Sequence, residues 1–138
     1  PTRPEHIDTQ HRCLISGIPR LYTIVPSFRI IQIPGSIVFV WDEYHAYRVI
    51  PLDGRPHIAS NVKLWMGDAR GHWDGTTLIV ESSNLKANSR GATAGLRLIE
   101  KFTRTGRDAM QYQVTFVDAA THFAEQKGAK VLLTPWMR

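Results

Sequence analysis

The residues best suited to chemistry are the polar ones that strand alternation sends onto apolar faces. Leu96, Leu98, Glu100 and Phe102 share one face of an extended segment, so Glu100 is expected to point inward. A buried carboxylate costs several kcal/mol unless it is paired or functional. Arg48 shares a face with Ile50 and is the most economical partner. Burial strengthens a carboxylate as a base and a neighbouring guanidinium weakens it, so such a pair serves either as acid/base machinery or as a structural ion pair that pins strand register. Both readings stay open at this level.

Six histidines follow: His6, His11, His45, His57, His72 and His122. His57 closes the turn Asp53-Gly54-Arg55-Pro56-His57 at a sheet rim, where an accessible imidazole is a natural general base if a carboxylate such as Asp68 orients its other nitrogen. The alternative is a loop histidine bonded to backbone. His45 shares a face with Phe39, Trp41 and Tyr47 if the strand runs on unbroken, and would then line the interior. A turn at Asp42-Glu43-Tyr44 would break that parity. The chain has no His-x-His, no His-Glu-x-x-His and no cysteine pair, so no cofactor is expected. Strands could still gather His45, His57 and His72 with Glu43, Asp68 or Glu100 into a metal site, for which copper, zinc and iron are not distinguishable by ligand type.

Trp41, Trp65, Trp73 and Trp136, with Phe39, Tyr47 and Tyr112, supply enough aromatic surface to line an apolar ligand pocket, or simply to fill a core. Gly67 and Gly71 frame Asp68 and Arg70 like a close-approach loop, but the helix that a phosphate cradle needs does not follow. Cys13 and Ser82-Ser83 lack a neighbouring histidine or glycine elbow, which argues against covalent catalysis.

The elements that position these residues read as strands. Two-residue alternation recurs and helical periodicity is nearly absent. Residues 1–26 hold Pro1, Pro4, Pro19 and Pro26 and are expected to lie extended over a sheet as an N-terminal arm. Strands are expected at Ser27–Ile33 and Ser36–Asp42 around Pro34-Gly35, then at Tyr44–Leu52, Gly71–Trp73 and Thr76–Leu85. Leu96–Thr105 and Met110–Asp118 follow as a long pair, with Met110, Tyr112, Val114 and Phe116 facing the core. Residues Lys86–Gly95 read as a loop, Ala119–Lys130 as one short helix, and Val131–Leu133 as an edge strand. The fold expected is all-β, a single antiparallel meander of six or seven strands curled into a barrel or sandwich, lipocalin-like or jelly-roll-like.

At 138 residues, 43% of them hydrophobic, the chain suits one domain whose core needs no metal or disulfide. Its 17 basic and 12 acidic residues leave a net charge of +5. The cations are scattered, however. Their one cluster, Arg97, Lys101, Arg104 and Arg107, is split between two strand faces and resembles a solvated edge, so nucleic acid is not the expected partner. The longest mainly apolar run, Ser36 to Trp41, is far short of the roughly 20 residues that span a bilayer. One cysteine, Cys13, leaves the redox compartment open. Beginning at Pro1 rather than methionine, the chain reads as processed, with any export signal already removed.

From Cys13 to about Asp118 the chain resembles a large, mostly uncharacterised family of small exported proteins common in soil bacteria. The resemblance is carried by four stretches. They are Ile30-Ile31-Gln32-Ile33-Pro34-Gly35, Arg48-Val49-Ile50-Pro51-Leu52-Asp53-Gly54-Arg55-Pro56-His57, the segment from Trp65-Met66-Gly67-Asp68 through Gly71-His72-Trp73-Asp74-Gly75 to Glu81, and Leu96–Arg104. It implies an export signal in the precursor and a periplasmic or secreted home, and no particular reaction. The chain departs from the family pattern after Asp118, where Ala119–Thr134 intervenes before Pro135-Trp136.

The function expected is acid/base chemistry of the lyase, isomerase or hydrolase kind on a small, partly apolar or aromatic molecule in a β-barrel pocket. His57 or His45 would move the proton, Asp68 would orient an imidazole, Arg48 would anchor an oxygen, and Glu100 would hold Arg48 or act as second acid/base. Trp41, Tyr47, Trp65, Trp73 and Tyr112 would line the ligand site. The alternatives are a non-catalytic ligand-binding or interaction module and a histidine-bound metalloenzyme. An exposed edge strand would also suit a homodimer.

Overall fold

The computed structural model describes residues 7–25, 27–86 and 95–118, together with the backbone of 131–133. Two antiparallel sheets face each other. The first is the three-stranded meander β1 (Phe28–Ile33), β2 (Ser36–Trp41) and β3 (Tyr47–Pro51). The second is the five-stranded meander β4 (Asp68–Asp74), β5 (Thr77–Ser83), β6 (Arg97–Gly106), β7 (Ala109–Val117) and β8 (Val131–Leu133). In both sheets spatial order is chain order, so consecutive strands are neighbours throughout. Among the described residues no ladder joins the two sheets, so the expected choice between barrel and sandwich falls to the sandwich.

The turns lie where glycine permits them. Gly35, at φ 74°, closes the β1–β2 hairpin, and Gly75, at φ 57°, closes β4–β5. The fourth strand begins at Asp68, three residues before its expected start, so Asp68 and Arg70 are strand residues. The third begins only at Tyr47, because Tyr44 and His45 take left-handed backbone, φ 60° and 49°, and turn the chain.

Alternation builds the interior. Ile37, Phe39 and Trp41 of β2 and Ile50 of β3 face Leu78 and Val80 of β5, Leu98 and Phe102 of β6, and Tyr112 and Val114 of β7 in one buried cluster. Met110 and Phe116 pack against it, as the alternation of that strand predicts. Gly71 is needed for close approach. A Cβ there would lie 2.7 Å from the Ile50 Cγ2 and 2.8 Å from the Leu52 Cδ2, so a bare backbone lets β3 settle on β4.

The N-terminal arm does more than lie extended over a sheet. It carries a 3-10 turn, Thr9–Arg12, and one helical turn, α1 (Leu21–Ile24), and it buries Leu21, Tyr22 and Val25 completely or nearly so. Tyr22 packs against Phe28, Phe39, Trp41, Phe102 and Tyr112 with ring centroids 5.0–5.7 Å apart, and so completes the core from outside either sheet. The expected helix at 119–130, His6, His122, Trp136, most of the 86–95 loop and the first six arm residues lie outside the described residues.

Candidate functional site

Parity places Arg48 and Glu100 on the two inward faces, and they meet. Arg48 Nη1 donates to Glu100 Oε1 at 3.2 Å and Nη2 to Oε2 at 2.6 Å, with the Glu100 residue fully buried. The remaining two terminal N–H groups donate to Tyr22 Oη at 2.7 Å and Ser82 Oγ at 2.6 Å. Tyr112 Oη donates to Glu100 Oε1 at 3.0 Å, and Ser82 Oγ to Oε2 at 3.5 Å. Within this cluster the Arg48 Nε–H is buried without an acceptor.

Burial, and next the Arg48 charge against it, govern the Tyr22 phenol, which is held well above its ordinary value. Tyr112 is raised further by burial and by the Glu100 carboxylate. Burial opposes the Arg48 charge, but the Glu100 carboxylate more than offsets it, so the guanidinium stays protonated. Every terminal N–H of Arg48 is already engaged inside the protein. The expected role of Arg48 as a substrate anchor is therefore corrected, as is that of Glu100 as an acid/base group. Both belong to a buried network that engages both carboxylate oxygens and every terminal N–H of the guanidinium, the kind of partnering a buried ion pair requires.

A second cluster forms at the sheet rim. His57 Nδ1 lies 2.8 Å from Asp68 Oδ2, which also accepts the Ile58 backbone N–H at 3.0 Å. Arg70 Nη1 donates to Asp68 Oδ1 at 2.7 Å, while its Nη2 and Nε donate to the Pro56 and Arg55 carbonyls at 2.7 and 3.0 Å. Burial works to raise the Asp68 carboxyl, but the Ile58 N–H, His57 and Arg70 outweigh it and hold the carboxyl below its ordinary value. The expected Asp68–His57 contact is present. An Nδ1–H donated to Asp68 leaves the lone pair on Nε2.

The two clusters do not share a cavity. Ala69 pairs with Ser82 and Gly71 with Val80, so Ala69 and Gly71 share the inward face with Ser82, Val80 and Glu100. Asp68 and Arg70, offset by one residue, are on the opposite face of the same sheet. An expectation that Arg48, Glu100, His57 and Asp68 converge is thus overturned by a one-residue parity.

Among the described residues a cavity lies elsewhere. A shallow, open cleft of about 460 Å³ lies between the arm and the β2–β3 turn, lined by Cys13, Leu14, Ile15, Tyr44, His45, Ala46 and Tyr47. Three of its residues, Cys13, Tyr44 and His45, have positive φ of 54°, 60° and 49° without being glycine. Such backbone costs about 1–2 kcal/mol per residue and gathers at functional sites. His45 and Tyr47 therefore line a cavity, but an outer one. The turn breaks the parity that would send them inward, and Tyr47 is 67% exposed.

The other expected ligand-lining residues disperse. Trp41 and Tyr112 are core. Trp65 is half-buried, with Nε1 donating to the Ile15 carbonyl at 2.5 Å and Lys86 Nζ over its ring at 5.6 Å. Trp73 is largely exposed on β4. Sequence reasoning missed Leu14 and Ile15 and discounted Cys13, because nothing local brings residues 13–15 beside 44–47. Among the described residues no three His, Cys, Asp or Glu side chains gather to hold a metal ion, and His45, His57 and His72 do not form the metal site considered from sequence. Arg97, Lys101 and Arg104 sit on β6, inside its sheet rather than at an edge, with Arg107 in the turn that follows and Arg97 donating to Glu81 at 3.1 Å. No helix among the described residues is long and apolar enough to cross a membrane.

No family model, curated protein or solved structure matches the chain.

Proposed function

We propose that this chain is a ligand-binding domain that takes a small, partly apolar or aromatic molecule in the cleft between its N-terminal arm and the β2–β3 turn. The observation that carries the reading is the cleft itself. Its volume of about 460 Å³ falls within the roughly 300–1,000 Å³ of small-molecule sites. Leu14, Ile15 and Ala46 supply apolar surface, Tyr44 and Tyr47 supply rings that combine an apolar body with a polar tip, and His45 supplies one polar contact. The described lining residues include no carboxylate and no lysine or arginine, which favours a neutral ligand over a strongly charged one. An exported home, inferred from the family resemblance, suits a domain that meets such molecules outside the cytoplasm.

Calorimetric titration with neutral aromatic probes, indole and p-cresol, tests this reading. Leu14→Asp is expected to weaken binding by about tenfold or more while His57→Ala leaves it unchanged. Equal binding by wild type and Leu14→Asp removes the cleft from the account.

One observation favours a second reading, acid/base catalysis at the rim. Asp68 holds His57 by Nδ1, the arrangement by which a carboxylate orients a general base. Turnover of a carbonyl or ester substrate that is lost in His57→Ala and kept in Leu14→Asp would support this second reading.

A further inference from the structure

We propose that two copies of this chain pair through the free edge of β1, antiparallel about a two-fold axis at Ile30. Among the described residues the first strand ends its sheet, with β2 on one side only. Its register with β2 is regular over all six pairs, from Phe28↔Trp41 to Ile33↔Ser36. From Arg29 to Ile33 every residue is exposed, including Ile30, Ile31 and Ile33 at 43–45%. Protected edges carry prolines, bulges or several charges. This one has no bulge, no proline within the strand and a single charge, Arg29.

The hydrogen-bond parity identifies which groups are unused. The Asp42 N–H donates to the Ser27 carbonyl, so Ser27↔Asp42 is a bonded pair. Antiparallel ladders alternate, so Arg29, Ile31 and Ile33 turn their N–H and C=O toward β2. Phe28, Ile30 and Gln32 turn theirs outward. These three are symmetric about Ile30. A second copy laid antiparallel places Ile30 opposite Ile30 and Phe28 opposite Gln32, and every outward group on one strand finds its complement on the other. Arg29 falls opposite Ile31, so the pairing sets no like charges directly against each other. With the exposed apolar Ile30 meeting itself on the axis and Arg29 kept from its own copy, the edge suits a second copy of this chain as the occupant. The edge is smaller than a standard protein interface, so the association is weak and concentration-dependent.

Sedimentation velocity over a roughly hundredfold dilution series tests the pairing. The wild-type coefficient is expected to rise with concentration. Ile30→Lys, which sets two cations together on the axis, and Ile30→Pro, which removes only an outward N–H, are expected to stay monomeric with the urea midpoint nearly unchanged. Val49→Lys, on the exposed face of β3, is expected to associate like wild type. Amide exchange at Phe28, Ile30 and Gln32 is expected to slow with concentration. A wild type that is monomeric throughout overturns the proposal. So does association abolished by Val49→Lys and untouched by Ile30→Lys, since the sheet face rather than the edge would then be the contact. Should Ile30→Pro fail to fold, Ile30→Lys and the exchange pattern still decide.

Discussion

Arg48 on β3 and Glu100 on β6 are paired through two hydrogen bonds of 3.2 and 2.6 Å across the interior, with Tyr22 and Ser82 taking the other terminal N–H groups of Arg48 and Tyr112 donating to Glu100. The pair connects the two sheets at a point that solvent does not reach. Removing one partner leaves an uncompensated buried charge, so Arg48→Met or Glu100→Gln is expected to cost about 3–5 kcal/mol in urea denaturation. Arg48→Met combined with Glu100→Met is expected to cost much less than the sum, since no charge is then stranded. It should stay below wild type, because three hydroxyls lose their partners. Additive losses would mean that the two side chains act independently.

The rim cluster predicts an acid limb. The folded Asp68 carboxyl lies below its unfolded value, so between the two values the unfolded chain binds the extra proton and stability rises with pH. The contribution is complete above the unfolded value of about 3.9 and is lost as pH falls through the folded one. Asp68→Asn is therefore expected to be less stable than wild type by about 1.5–3 kcal/mol at neutral pH. The gap should narrow steadily in thermal melts taken below about pH 4. A gap that stays constant on acidification would contradict it.

The alkaline side depends on two phenols. Tyr22 and Tyr112 are raised above their ordinary value of 10.0, chiefly by burial. The unfolded chain then loses protons that the folded chain keeps, so their contribution is complete below about pH 10 and declines above it. Two such groups give a slope of about 2.7 kcal/mol per pH unit. Urea midpoints measured above pH 10 should show it, and the slope should roughly halve in Tyr22→Phe. Tyrosinate absorbance from either residue should appear only with unfolding.

Gly71 offers a purely steric test. A methyl group would meet Ile50 and Leu52 side chains at 2.7–2.8 Å, so Gly71→Ala is expected to cost about 1–3 kcal/mol by overpacking. Gly71→Ala with Ile50→Leu should recover part of the loss, because the nearest crowding atom is the Ile50 Cγ2, a branch methyl that leucine lacks.

Strand identity and facing were legible in the sequence because a period of two is local, and Glu100 and Arg48 can be paired from it alone. What alternation does not carry is which face of which sheet a neighbouring residue takes once a turn intervenes. Left-handed backbone at Tyr44 and His45 resets the count, so His45 and Tyr47 turn outward while Ala46, Arg48 and Ile50 turn in. Asp68 failed to join Glu100 for a similar reason, since its strand begins earlier than the Gly71–Trp73 signal and sets it one residue out of phase with Ala69. Tyr22 was hidden by the prolines around it, which mark the arm as non-strand without revealing that one helical turn drops an aromatic ring into the core. The cleft was invisible because its two walls are some thirty residues apart in the chain and neither carries a pattern of its own.

Residue-resolved mapping of a bound probe tests the binding claim most directly. In amide NMR spectra of the whole chain titrated with indole, the largest saturable shifts are expected at Cys13, Leu14, Ile15, Tyr44, His45, Ala46 and Tyr47, with His57, Asp68 and Arg70 unmoved. Shifts centred on His57 and Asp68, or shifts that never saturate at any position, would contradict it.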